Sequence, residues 1–153
     1  MSTPVVLDSS VVVKWFKAGE EREGEALLLK SKVLNMEVSA FIPEILPLEV
    51  IRALQKASYP KEKMEKAIVV MRMLEHHHVW KAIPLSGVRW RGIELVMELG
   101  LYASDAIVLS TGLEVGGVLI TEDHHLLKER VVRYAGERGL DVVDLKGWKE
   151  RYG

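Results

Sequence analysis

Short, wholly apolar runs separated by stretches of helical periodicity constrain this chain more than any other feature. Val5-Val6-Leu7 ends in Asp8, and Val118-Leu119-Ile120 runs into Thr121-Glu122-Asp123. Runs this short and this uniformly apolar suit strands buried on both faces, which are the strands of a parallel sheet. Between them, Met64, Ala67, Ile68, Met71 and Leu74 recur at the spacing of a helix. Strands are expected at 5–7, 39–42, 79–85, 118–120 and 140–145, the second stopped by Pro43. Helices are expected at 9–17 and 20–35, from between 44 and 48 to about 57, from 60 onward, and at 87–99, 103–114 and 124–138. Pro47 and Pro60 fit because proline is tolerated in a first helical turn, and the helix at 20–35 should turn Leu27 and Leu34 inward. Strands alternating with helices imply an α/β domain with a mainly parallel central sheet covered on both faces. No repeat, linker or low-complexity stretch interrupts it, so one domain over 1–153 is expected.

The bulk properties exclude several functions. A chain of 153 residues buries roughly 70% of its unfolded surface, enough for one real core. With a net charge of −1 there is no global basic field, so any nucleic-acid contact must come from a local patch. The absence of cysteine removes disulfides, zinc ribbons and thiol catalysis, and it suits a reducing compartment. No apolar run nears the ~20 residues needed to span a bilayer, and no basic leader precedes the first strand, so a cytoplasmic protein with no membrane role is expected.

The placement of the acids carries the chemistry. Most of the 22 acidic residues lie among lysines and arginines, as in Lys61-Glu62-Lys63, and read as solvated faces. Four do not. Asp8 and Asp123 stand at the carboxyl ends of strands, where open α/β sheets bind their ligands. Asp105 precedes Ala106-Ile107-Val108-Leu109, and Glu49 sits between Leu48 and Val50-Ile51. Acids are almost never buried without a partner. Two carboxylates ~4 Å apart repel by roughly 1 to 4 kcal/mol. Several converging on one crevice must therefore take up protons, recruit basic residues or bind a hard cation. Oxygen-only ligands favour Mg²⁺ or Mn²⁺, whose chemistry on a phosphodiester is that of the two-metal nucleases. Each acid also has a plainer use. Asp8 can cap the helix beginning at Ser9 or Ser10, and Asp123 one carrying His124 and His125. Asp105 can cap a helix or satisfy Tyr102 or Ser104, and Glu49 can pair with Arg52 one turn away.

Order and context together resemble the PIN domain, in particular the VapC-type toxins of toxin–antitoxin pairs. The carrying segments run from Val6 through Asp8 and Ser10 to Phe16, from Pro47 through Glu49 to Leu54, from Tyr102 through Asp105 to Leu109, and from Gly117 through Asp123 to Leu126. The resemblance implies a three-layer α/β/α, Rossmann-like fold and a Mg²⁺- or Mn²⁺-dependent ribonuclease, with one or two ions held by Asp8, Glu49, Asp105 and Asp123. Ser10 and Thr121 match supporting hydroxyl positions. It also implies an RNA substrate, a small antitoxin that covers the site, and a homodimer. One position departs from the pattern: Arg52 stands three residues after Glu49, where the family usually has Asn. Arg52 then either contacts substrate phosphate or weakens metal binding by pairing with Glu49.

Lys14, Arg52, Arg89 and Arg91, with Lys17 and Lys56, are the candidate RNA contacts, with Trp15 or Trp90 available for stacking. Trp15 also fits a core or dimer contact. His76-His77-His78 reads as a polar helix end, since consecutive helical residues do not share a face. A catalytically weak PIN-like module that binds RNA or protein is the alternative, and Arg52 is its basis. A phospho-receiver would need an acidic pair after the first strand, and this chain has only Asp8 there. A dinucleotide-binding fold would need a glycine-rich loop there, and this chain has none.

Overall fold

A computed structural model describes residues 3–153. Five strands form one sheet in the order β3-β2-β1-β4-β5, and every neighbouring pair is parallel. They are β1 (Val5–Leu7), β2 (Ala40–Pro43), β3 (Trp80–Ile83), β4 (Gly117–Ile120) and β5 (Leu140–Val143). The chain lays β1, β2 and β3 outward to one side, then returns to place β4 on the other side of β1. Strand order therefore reverses between β1 and β4, which is where open α/β sheets form a crevice at their carboxyl ends.

Alternate residues divide the core. Leu7, Ile42, Trp80 and Ile120 face α1 (Ser9–Val12), α2 (Glu23–Leu34), α3 (Leu46–Lys56), α4 (Lys61–His76) and α8 (Leu145–Tyr152). Val6, Leu119, Leu140 and Val142 face α5 (Leu85–Leu99), α6 (Ala103–Val115) and α7 (Glu129–Gly136). This is the three-layer α/β/α arrangement, with both sheet faces buried. Each fully buried aliphatic or aromatic side chain contributes roughly 1.5–3 kcal/mol. No helix among the described residues is long and apolar enough to cross a membrane.

Several expectations need correction. The helix at 9–17 is only one α-turn, which tightens into a 3-10 turn over Val13–Trp15 and buries Trp15 against Trp80 at 6.3 Å between ring centroids. In α2 the inward residues are Ala26, Leu29 and Val33, while Leu27 and Leu34 face solvent. Pro43 does not stop β2 but ends it, paired with Ile83; the β1–β2 ladder has already closed at Phe41, so no bond on that side is lost. The strand expected at 79–85 ends at Ile83, and Pro84 caps a helix that starts two residues earlier than expected. Residues 124–128 are turns rather than helix, and β5 stops at Val143 because Asp144 caps α8, an element the periodicity did not reveal. Gly117 opens β4 at φ 81°, where a Cβ would strike the Pro4 carbonyl that accepts the Val118 N–H at 3.0 Å.

Candidate active site

Asp8 leaves β1 at the crevice and is 95% buried, being 5% exposed. Its Oδ1 accepts the Ser9 N–H at 2.9 Å, the helix-capping use anticipated above. Its Oδ2 accepts two hydroxyls, Ser10 Oγ and Thr121 Oγ1, each at 2.7 Å. Those hydroxyls are themselves oriented: Ser10 Oγ accepts the Glu122 N–H at 2.9 Å, and Thr121 Oγ1 accepts the Asp123 N–H at 3.0 Å. Each hydroxyl has one proton, and the backbone donors on the other side direct it at Asp8. The ends of β1 and β4 are thereby tied across the crevice through one carboxylate. Burial nevertheless dominates and pushes the Asp8 carboxyl up from its ordinary range; Ser10 and Thr121 oppose the shift, while the Asp123 charge adds to it.

Glu49 reaches the same place from the first turn of α3. Burial, helped by the charges of Asp8 and Asp123, pushes its carboxyl to about 7, against the pull of the Ser9 hydroxyl. Its Oε1 is buried without a hydrogen-bond partner among the described residues. Asp105 lies in the first turn of α6, where Tyr102 rather than Asp105 is the capping residue. Its carboxyl is also pushed to about 7, first by burial and then by the Asp123 carboxyl that meets it within hydrogen-bonding reach; Asp8 and Glu49 add smaller repulsions. Asp123 caps no helix: its Oδ1 accepts the His125 N–H at 2.8 Å within a turn.

All four acids singled out in the sequence thus meet in one crevice with Ser10 and Thr121. Among the described residues none of the four forms an ion pair with Lys, Arg or His. No set of three or more Asp, Glu or His side chains there already closes around an ion position. The donors nonetheless suit a hard cation: they are all oxygens, their charges are uncompensated, and Glu49 Oε1 has an unused lone pair.

The anticipated cations fare differently. Lys14 is buried and donates to the Glu21 carbonyl at 2.7 Å, so it is not a free phosphate contact. Arg52 does not pair with Glu49; it is exposed, with a 3.4 Å contact to Gln55 Oε1. Arg89 and Arg91 are exposed on α5, and the Arg89 guanidinium lies 5.4 Å from the Trp90 ring centre. The sequence reading missed two features. Arg22 bridges Glu122 at 3.3 Å and Asp144 at 2.6 Å beside the crevice. Tyr102 and Lys128 line a pocket with Asp105. Tyr102 precedes Asp105 by three residues at the start of one helix, which places both at the same end, and that spacing was the available signal.

The PIN domain family model matches residues 5–131. Among solved structures, the chain is similar to the crystal structure of VapBC2 from Rickettsia felis bound to a DNA fragment from their promoter. The TM-score is 0.60 at 16% identity, over 92% of this chain and 97% of that one, a likeness of fold. No curated protein matches the chain.

Proposed function

The chain belongs to the PIN domain family, and on that footing we propose that it is a metal-dependent endoribonuclease, the toxin of a VapBC-type toxin–antitoxin pair. One observation carries the reading: four carboxyl groups from β1, α3, α6 and the end of β4 share a crevice with no basic partner among the described residues, and three of them are pushed upward in pKa. Structural acids are ordinarily neutralised by Lys or Arg; an unneutralised cluster calls for a cation from solution. Asp8, Glu49, Asp105 and Asp123 are the residues that would hold Mg²⁺ or Mn²⁺. Such an ion supplies charge neutralisation at a phosphodiester and lowers the pKa of water for attack.

The chain's own residues supply the rest. Ser10 and Thr121 fix the Asp8 carboxylate, as outer hydroxyls orient metal-binding carboxylates generally. The turn at Asp123 keeps that acid facing Asp105. Binding of a cation there would displace protons from the Glu49 and Asp105 carboxyls, which titrate at about 7. The fold likeness to the VapBC2 complex supports an antitoxin partner, and a cytoplasmic homodimer acting on RNA completes the proposal. A second reading, a PIN-like module that binds RNA with little catalysis, draws on the Asp105–Asp123 contact, in which a shared proton takes the part of a cation.

The test is an assay of the purified, partner-free protein on structured RNA with Mg²⁺ or Mn²⁺. Cleavage is expected, and both EDTA and Asp8→Asn should abolish it. Cleavage that survives both refutes the reading; RNA binding with no cleavage at any Mn²⁺ concentration selects the module.

A further inference from the structure

A second feature adjoins the acid cluster. Between the end of α5 and the start of α7 lies a cavity of about 230 Å³ whose lining includes Asp105, Lys128 and Arg130. Tyr102 and His125 form an aromatic wall, their rings edge-to-face at 5.5 Å, and Leu101 and Val131 are buried beneath. The Tyr102 ring is 70% exposed, on a residue whose extended backbone precedes α6 and whose side chain makes no capping bond. An aromatic held open to solvent beside an acid cluster is an available stacking platform. The cavity is smaller than the ~300–1,000 Å³ of sites that enclose a whole drug-sized ligand, and it suits a single base. Arg130 spends one N–H on the Glu98 carbonyl at 2.7 Å, which ties α7 to α5 and leaves its other donors available. Lys128 is exposed and has no ion pair among the described residues.

We propose that this cavity is a nucleotide subsite for single-stranded RNA: an unpaired base beside the scissile phosphodiester stacks on the Tyr102 ring, with the perpendicular His125 ring at its edge, and its adjoining phosphate is bound by Lys128. The subsite rests on the ribonuclease reading, because Asp105 is the wall it shares with the reacting centre. The lining carries both signs of charge that such a subsite needs, Asp105 from the acid cluster and Lys128 and Arg130 for a phosphate. Stacking accepts any base, so the subsite selects for unpaired RNA rather than for a sequence.

The test uses a labelled single-stranded oligoribonucleotide and the Asp8→Asn protein, which holds the probe uncleaved, with binding read by fluorescence anisotropy. In that background Tyr102→Ala should weaken binding by about 5- to 150-fold, and Tyr102→Phe by less than about twofold. Lys128→Gln should flatten the slope of log affinity against log salt by about 0.7. An abasic probe at the bound position should erase the Tyr102→Ala loss. Binding by Tyr102→Ala within about twofold of its parent, an equal loss on the abasic probe, or no binding by the Asp8→Asn protein at any salt concentration overturns the subsite. The activity is judged separately on the wild-type protein with Mn²⁺. Failure to cleave there, alongside Tyr102-dependent binding, defeats the ribonuclease and leaves the subsite to an RNA-binding module.

Discussion

Glu122 and Asp123 are neighbours at the end of β4, yet their carboxylates belong to opposite electrostatic regimes. Glu122 joins Asp144 around Arg22, whose guanidinium holds the Asp144 carboxyl below its ordinary range even though burial pushes it the other way. Glu122 also accepts the Leu145 N–H at 3.0 Å, and Asp144 accepts that of Gly147 at 2.7 Å, so this network pins α8 to the sheet. Asp123 turns to the other side, toward Asp105, Asp8 and Glu49, where no arginine among the described residues forms an ion pair and carboxyl groups are pushed up. Two acidic clusters at one sheet edge thus differ in a single ingredient, an internal cation. The compensated one builds structure, and the uncompensated one is the cluster proposed to take a cation from solution.

The sharpest challenge to this contrast is to remove a carboxylate from each cluster. Asp105→Asn should reduce RNA cleavage by at least about a hundredfold, since even indirect supports of a metal site cost ten- to a hundredfold. Asp144→Asn should leave kcat within about threefold, because its cluster already carries its own cation. Equal losses in a cleavage assay would erase the distinction.

Deleting the internal cation comes next in size. Arg22→Ala strands two part-buried carboxylates and should destabilise the fold by about 1–2 kcal/mol, between the values for surface and buried pairs, as read by urea unfolding. An unchanged denaturation midpoint would mean that α8 is held by packing alone.

The two regions should also respond oppositely to pH. Glu49 and Asp105 titrate at about 7 when folded, against 4.5 and 3.8 ordinarily, so their charged forms oppose folding above pH 7. Protonation removes that opposition as pH falls from about 8 toward 5. A metal-free sample should gain on the order of 1–2 kcal/mol after allowance for solvent screening, roughly 2–8 °C in Tm. Asp144, with its pKa lowered, stabilises the fold above its ordinary 3.8 and loses that contribution only in stronger acid. Saturating Mn²⁺ should stabilise the protein most at high pH and flatten the profile. A metal-free Tm that falls between pH 8 and 5 would contradict the assignment.

The smallest effect is expected at Arg52, which turns away from Glu49 toward Gln55. Arg52→Asn should change Mn²⁺ affinity by less than about threefold, by calorimetry. A tenfold change would return Arg52 to the acid cluster.

Legibility varied with how local each cause was. The runs at 5–7 and 118–120 read directly as buried strands because an apolar triplet next to a polar end has few other uses. Asp8, Glu49, Asp105 and Asp123 stood out for a similar reason, each being an acid in apolar company. Helix α8 was hidden by its polar composition and short length; its start depends on Asp144 accepting the Gly147 N–H. Lys14 looked like a surface cation until the 3-10 turn carried it inward to the Glu21 carbonyl.

The amino-acid order alone determined the alternation of strand and helix, the two-sided burial of the sheet and the identity of the four isolated acids, since each follows from local periodicity and transfer energetics. Tertiary structure decided which charges meet. Arg22 finds Asp144 across 122 residues, and Thr121 finds Asp8 across 113. A carboxylate's partner depends on distance in space, and the chain sets that distance only when the strands have taken their order.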